Sequence, residues 1–415
     1  MKKHLFLFIF LFLGLVIKAQ EARDSVQLDF SSLPVLKVQS YDSIKDEPKT
    51  AARMVYQKDS IVYEKVIGIE WRGNSALKYP KKSYDLEIWM DTISKESKDL
   101  TLGGLREDDD WILNSIYNEP IKLRSYFSNK LWLELSQSRG KDSLHKGKAG
   151  IDVAYVEVFL NDDYQGLYLL SEQVDRKQLD LKKFQNDTVR GELFKGGSYA
   201  VGSSFSGVKT FNNAFPHWDG FEMEYPYEDY TAHWDNLYEF VDFVVNGDDK
   251  TFAEDIASRL DLDNAVDYYI FINVLRATDN MGKNYFLARN DATTPYYFVP
   301  WDLDGVLGCI MDGKRISTTN DILSNGLFDR LLADNPADYR KKLTERWKEL
   351  RTGSLETEKL TTNIRAIYEG LESNGLYERD GQVWPMEVPA ADHLEYLLKW
   401  LNDRLTYLDG YFGSF

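Results

Sequence analysis

The segments "ATDNMGKNYFL" (277–287) and "YYFVPWDLDGVLG" (296–308) decide how this chain is read. Asp279, Asn284, Asp302 and Asp304 fall within 26 positions and bracket two apolar runs, 284–289 and 296–300, that read as short strands. Carboxylates at the ends of buried strands are costly unless they bind metal, pair with a cation or take part in chemistry. Before them, "DLDNAVDYYIFINVLRA" has the length and apolar density of a helix. The unit is therefore helix, loop, strand, strand, with acids and an amide at the strand ends.

Working toward the N-terminus, "SIVYEKVIGIEWRG" and "KKSYDLEIW" alternate as strands, with Tyr84, Leu86 and Ile88 on one face. "NEPIKLRSYFSNKLWLEL" has helical spacing, with Pro120 expected in its first turn. "DVAYVEVFLNDDYQGLYLLSEQVD" reads as a hairpin turning at Asn161-Asp162-Asp163. A Gly/Ser-rich stretch, 194–213, interrupts the pattern, and long loops of this kind are frequently functional or mobile. Toward the C-terminus, segments such as "ADYRKKLTERWKEL" and "ADHLEYLLKWLNDRLTYL" are amphipathic helices. The expected fold class is α+β, a protein-kinase-like arrangement with a small β-rich lobe (56–178) and a larger helical lobe (179–415).

Residues 1–19 read as a secretory signal peptide: Lys2 and Lys3, then an apolar run from Leu5 to Ile17, then cleavage after Ala19. Residues 20–55 are polar and read as a leader or linker. No later stretch is apolar enough to cross a bilayer, so the mature protein is expected to be exported and free of a membrane span. The 415 residues carry a net charge of −17, which argues against nucleic acid as a partner. Cys309 is the one cysteine, so no intrachain disulfide can form, and the five histidines show no metal-ligand spacing.

The spacing of Asp279 and Asn284 is that of the catalytic loop of protein kinases, whose Asp takes the acceptor hydroxyl proton and whose Asn binds magnesium. A second metal-holding Asp is then expected after the next strand, where Asp302 and Asp304 stand. Such oxygen ligands suit magnesium or manganese. The His-Arg that precedes that Asp in kinases is replaced by Ala277-Thr278, and Asp-Leu-Asp-Gly stands for Asp-Phe-Gly.

Four segments resemble one family in particular: "WRGNSALKYPKKSYDLEI", "VEVFLNDDYQGLYLLSEQVD", "DNMGKNYFL" and "PWDLDGVLG". In order and content they resemble the signatures of the CotH kinase family, the spore-coat protein H-like atypical kinases. The resemblance implies that Asp279 is the catalytic carboxylate and Asp302 the main metal ligand, helped by Asn284 and Asp304. It places the nucleotide-binding lysine at Lys81 or Lys82; Lys82 is preferred because it shares the parity of Tyr84, Leu86 and Ile88. Arg72 and its turn are expected to meet phosphate, and Glu172 to lie where nucleotide binds or on the surface. Glu119 and Glu134 are both open as the lysine's acidic partner. The implied function is transfer of the γ-phosphoryl of ATP to Ser or Thr of a secreted or surface protein. The alternative is a non-catalytic, nucleotide-binding surface or coat assembly protein on the same fold.

Overall fold

In the computed structural model, the structure describes residues 30–74, 76–139, 148–227, 231–386 and 388–415. The expected signal peptide lies outside them. The first part of the chain forms β1 (Val35–Gln39), β2 (Thr50–Lys58), β3 (Ile61–Arg72), β4 (Ser83–Trp89), the short pair β5 (Leu100–Thr101) and β6 (Glu107–Asp108), and β7 (Asp110–Asn114). Helix α1 (Arg124–Ser138) follows, then the hairpin β8 (Val153–Leu160) and β9 (Asp163–Ser171). Seven strands close a barrel in the order β1-β2-β3-β4-β7-β9-β8, antiparallel except where β1 meets β8 in parallel. Its interior is packed by Leu36, Met54, Ile67, Leu86, Trp111 and Val156.

Two local expectations change here. The stretch 20–55, read as leader or linker, contributes β1 and the first half of β2 within its described part, because Leu36, Val38 and Met54 seat in the barrel interior. Pro120 lies in the turn before α1, which begins at Arg124. The hairpin turn is as read: Asn161 and Asp162 take φ of 50° and 67°, the left-handed pair of a two-residue turn that Asn and Asp tolerate well.

The rest of the chain builds a second sheet, β11-β12-β10-β13-β14, from β10 (Glu192–Gly196), β11 (His217–Trp218), β12 (Phe221–Tyr225), β13 (Tyr285–Arg289) and β14 (Tyr297–Pro300). Its helices are α2 (Asp235–Asn246), α3 (Asp249–Arg259), α4 (Leu262–Leu275), α5 (Gly326–Asp334), α6 (Tyr339–Arg351), α7 (Thr357–Ser373), α8 (Leu376–Val383) and α9 (Ala390–Phe412).

Helix α4 is buried around nearly its whole circumference, as its unbroken apolar run requires. Asp261 caps its start by accepting from the N–H groups of Asp263 and Asn264. At its end Arg276 turns left-handed (φ 51°) and throws the chain into the Asp279 segment. Arg404 of α9, fully buried, seals that end: its Nε donates to Asn273 O at 2.7 Å and its Nη1 to Thr319 O at 2.8 Å and Asp321 O at 2.6 Å. Arg404→Met should therefore destabilise the protein by about 3–5 kcal/mol, since it strands the carbonyls of Asn273, Thr319 and Asp321, while the Asp321 carboxylate keeps Arg276. Urea unfolding followed by tryptophan fluorescence measures it; a loss under about 1 kcal/mol would refute the role, being no more than an ordinary exposed ion pair contributes.

Candidate active site

Helix α4 delivers the chain to a one-turn helix, Thr278–Met281, and then to β13, whose partner β14 ends at Pro300 beside Trp301 and Asp302. Tyr285 pairs with Pro300 in register, so Asn284 and Trp301 face each other just past the ladder. Asn280 fixes that end: its Nδ2 donates to Asn284 O at 2.5 Å and to Trp301 O at 2.9 Å. Asn284 and Asp302 both take left-handed backbone (φ 56° and 54°), a conformation that Asn and Asp adopt more readily than other side chains. Asn284 Nδ2 lies 3.4 Å from Asp302 Oδ2.

Asp279, Asp302 and Asp304 line one cavity of about 230 Å³, together with Thr278, Asn280, Gly305, Ile310 and Met311. Asp302 sits deep in the molecule yet open to the solvent of this cleft. Burial and the nearby Asp279 charge hold its carboxyl above the usual range, against Arg72, Lys283 and Lys195. Burial and Asp302 push Asp304 well up, while Asn118 donates to its Oδ2 at 2.6 Å. The three carboxylates share the cavity without converging on one point. Among the described residues, the acids that close tightly enough are Asp99, Asp108 and Asp109, and Lys177 and Arg106 already neutralise that group. Asn284 and Asp302, with Asp304 across the cavity, are oxygen-bearing side chains of the kind that magnesium takes, with the Asn284 amide nitrogen turned toward Asp302 here.

The remaining expected residues divide. Arg72 lies toward the Asp302 end without lining the cavity: its guanidinium is 5.9 Å from the Trp301 ring, pairs with Asp85 at 3.2 Å and acts on Asp302. The two lysines do not reach it. Lys82, preferred from parity, donates to Leu77 O at 2.7 Å and Tyr79 O at 2.6 Å, tying down the turn before β4. Lys81 is wholly buried, donating to Leu167 O and Asp380 Oδ1, both at 2.7 Å, and burial pushes its ammonium down to about 7. Its acidic partner is thus Asp380 of α8. Glu119 instead accepts from the N–H of Ser125, and Glu134 pairs with Lys359. Gly166 (φ +90°) makes room for this pair, because a Cβ there would sit 2.2 Å from Asp380 Oδ1. Glu172 is also interior: it accepts from the N–H groups of Arg106 and Asp152 and pairs with Lys148 at 2.8 Å, leaving no oxygen for a nucleotide.

In place of those lysines, Lys195 of β10 and Lys283 supply the positive charge near Asp302. Lys283 pairs with Asp279 Oδ2 at 2.8 Å. Tyr199 of the Gly/Ser-rich stretch donates to Thr278 O at 2.8 Å, with its hydroxyl 3.4 Å from Asp279 Oδ1. That stretch is packed onto the site: Tyr285 Oη donates to Ser203 O at 2.6 Å, and Gly326 N to Ser204 O at 3.1 Å. Lys283 was within reach of sequence reasoning, four residues after Asp279. Lys195 was not, because nothing in the alternation marked β10.

Compared with known proteins, residues 69–408 match the family described as CotH kinase protein. The inner spore coat protein H of Bacillus subtilis is 23% identical over 328 residues, covering 78% of this chain and 80% of that protein.

Proposed function

The chain belongs to the CotH kinase protein family, and from that premise we propose that it is an exported atypical kinase that moves the γ-phosphoryl of ATP to a Ser or Thr hydroxyl of a secreted or surface protein. The reading takes the barrel with α1 as the small lobe of a kinase-like fold and the second sheet with its helices as the large one. Its main support is one observation: Asp279 and Asp302 line a single cavity, at the end of two strands that Asn280 clamps together. Export is supported by the N-terminal signal pattern and by the relative's coat designation. No helix among the described residues is long and apolar enough to cross a membrane.

Phosphoryl transfer asks a protein chiefly for positioning and for stabilisation of charge. Asp302 and Asn284, with Asp304 opposite, would hold a divalent ion, which when bound neutralises the nucleotide phosphates. Arg72, Lys195 and Lys283 add protein charge on the same side. Asp279 orients the acceptor hydroxyl and takes its proton as the new oxygen–phosphorus bond forms and the bond to the β,γ-bridging oxygen breaks, releasing ADP. Lys283, paired with Asp279 at 2.8 Å, holds that side chain in place beside the cavity.

Calorimetric titration with ATP tests the reading. Binding is expected with Mg²⁺ or Mn²⁺ present and not in EDTA; absence of binding with either metal would overturn it. The metal-dependent affinity should also weaken as pH falls from 8 to 5. Protons compete for carboxylates whose affinity for them is raised, as it is at Asp302 and Asp304.

A further inference from the structure

The N-terminal turn of α1 carries an unmet demand for an acceptor. Arg124, the first residue of this 15-residue helix, has none of its side chain exposed, and its Nε, Nη1 and Nη2 have no hydrogen-bond partner among the described residues. One turn along the same face, Ser128 is equally buried and its Oγ is also unpartnered. A guanidinium has five N–H donors and no acceptor. Leaving them all unmet in the interior costs several kcal/mol, so such a group is normally completed by something.

The surrounding side chains do not complete it. Glu119, the nearby acid, already accepts from Ser125 N through both oxygens, at 3.1 and 3.2 Å, and from Ser125 Oγ. His393 Nδ1 accepts from Arg315 Nε at 3.3 Å. The Cys309 thiol is a weak acceptor at best. Arg315 lies on the same side: after burial, Arg315 and Arg124 are what drive the His393 imidazole down to about 4, while Glu119 and Asp312 face Cys309 with the opposite sign. Leu123, at the cap position, offers no side-chain oxygen to the first turn. Helical side chains lean toward the N-terminus, so the guanidinium lies over the positive end of the α1 dipole. A water molecule could accept from Arg124 but must place its own two hydrogens on acceptors. The unmet atoms here are three donor nitrogens and a hydroxyl that can donate, a set that an anion satisfies alone.

We propose that the N-terminal turn of α1 binds a small inorganic anion of chloride size, held by the Arg124 guanidinium with Ser128 Oγ beside it. Full enclosure of Arg124 limits the ligand to an ion near the dimensions of a water molecule. The site is separate from the Asp279–Asp302 cavity, and it holds whether or not the protein transfers phosphoryl groups.

The test uses the wild-type chain. Crystals grown with sodium bromide should show an anomalous peak within hydrogen-bond distance of the Arg124 guanidinium. Thermal melts should rise saturably with chloride or bromide relative to sodium gluconate at equal ionic strength, as expected for a ligand that binds only the native state. Ser128→Ala should need several-fold more halide for half the rise, and Arg124→Met, if it folds, should lose the rise altogether. A peak without a halide-dependent melt would mean an adventitious ion only. An ordered water without anomalous signal, or melts indifferent to halide, would mean a hydrated arginine. Either result overturns the proposal.

Discussion

Asp302→Ala is expected to abolish metal-dependent ATP binding while leaving the unliganded protein at least as stable as the wild type. In the proposed site, metal ligation at this end of the cavity would rest on Asp302 and Asn284, and the carboxylate is the charged member of that pair. The loss of affinity should be at least roughly 10²-fold, since groups that merely orient metal ligands already cost about 10–100-fold when removed. The stability effect has the opposite sign. A carboxyl whose proton affinity is raised on folding makes the folded state less stable as pH climbs above the unfolded value of about 4. Removing it should therefore raise the melting temperature at pH 7 and do nothing near pH 3. Unchanged affinity for ATP with magnesium in the variant would remove Asp302 from the site.

Asp279→Ala should separate binding from chemistry. Its side chain meets Lys283 and Tyr199 rather than the expected metal ligands, so affinity for nucleotide and metal should stay within a few-fold. Transfer of labelled phosphate, to the protein itself or to a generic acceptor, should fall by roughly 10²–10⁴-fold, the scale for losing a positioned acid–base group. If wild type and variant bind ATP and transfer equally little label, the chain is a nucleotide-binding assembly protein and not a kinase.

The parts of the fold legible in the sequence were those set by local pattern. The alternation of β4, the Asn-Asp turn of the β8–β9 hairpin and the apolar length of α4 each carry their own signal. So does the acid spacing that brings Asp279, Asn284 and Asp302 together. Barrel closure was not legible, because Val35 pairs with Glu157 across most of the sequence that builds the barrel. The lysine choice failed for a related reason. Parity correctly put Tyr84, Leu86 and Ile88 inside the barrel, but it assumed that the opposite face meets solvent. At Lys81 that face is covered by α8, whose Asp380 draws the ammonium into the protein. Glu172 misled in the same way: a lone acid near a strand end looks superficial until Lys148 and two backbone N–H groups close over it.

The Lys81–Asp380 pair spans 299 positions of the chain, and Lys122 leans on the same carboxylate at 3.6 Å. This sets a timetable for the protein's making. The seventh barrel strand is complete at Ser171, but two interior ammonium groups then wait for a helix encoded near the other end. At about 5–20 residues per second, the roughly 200 residues between them take on the order of 10–40 s to synthesise. Throughout that interval a closed barrel would hold Lys81 and Lys122 without the carboxylate that they share, at the cost of lost protons or unmet donors. Closure around that pair is then a late event, set by a helix near the end of the chain rather than by the barrel's own strands.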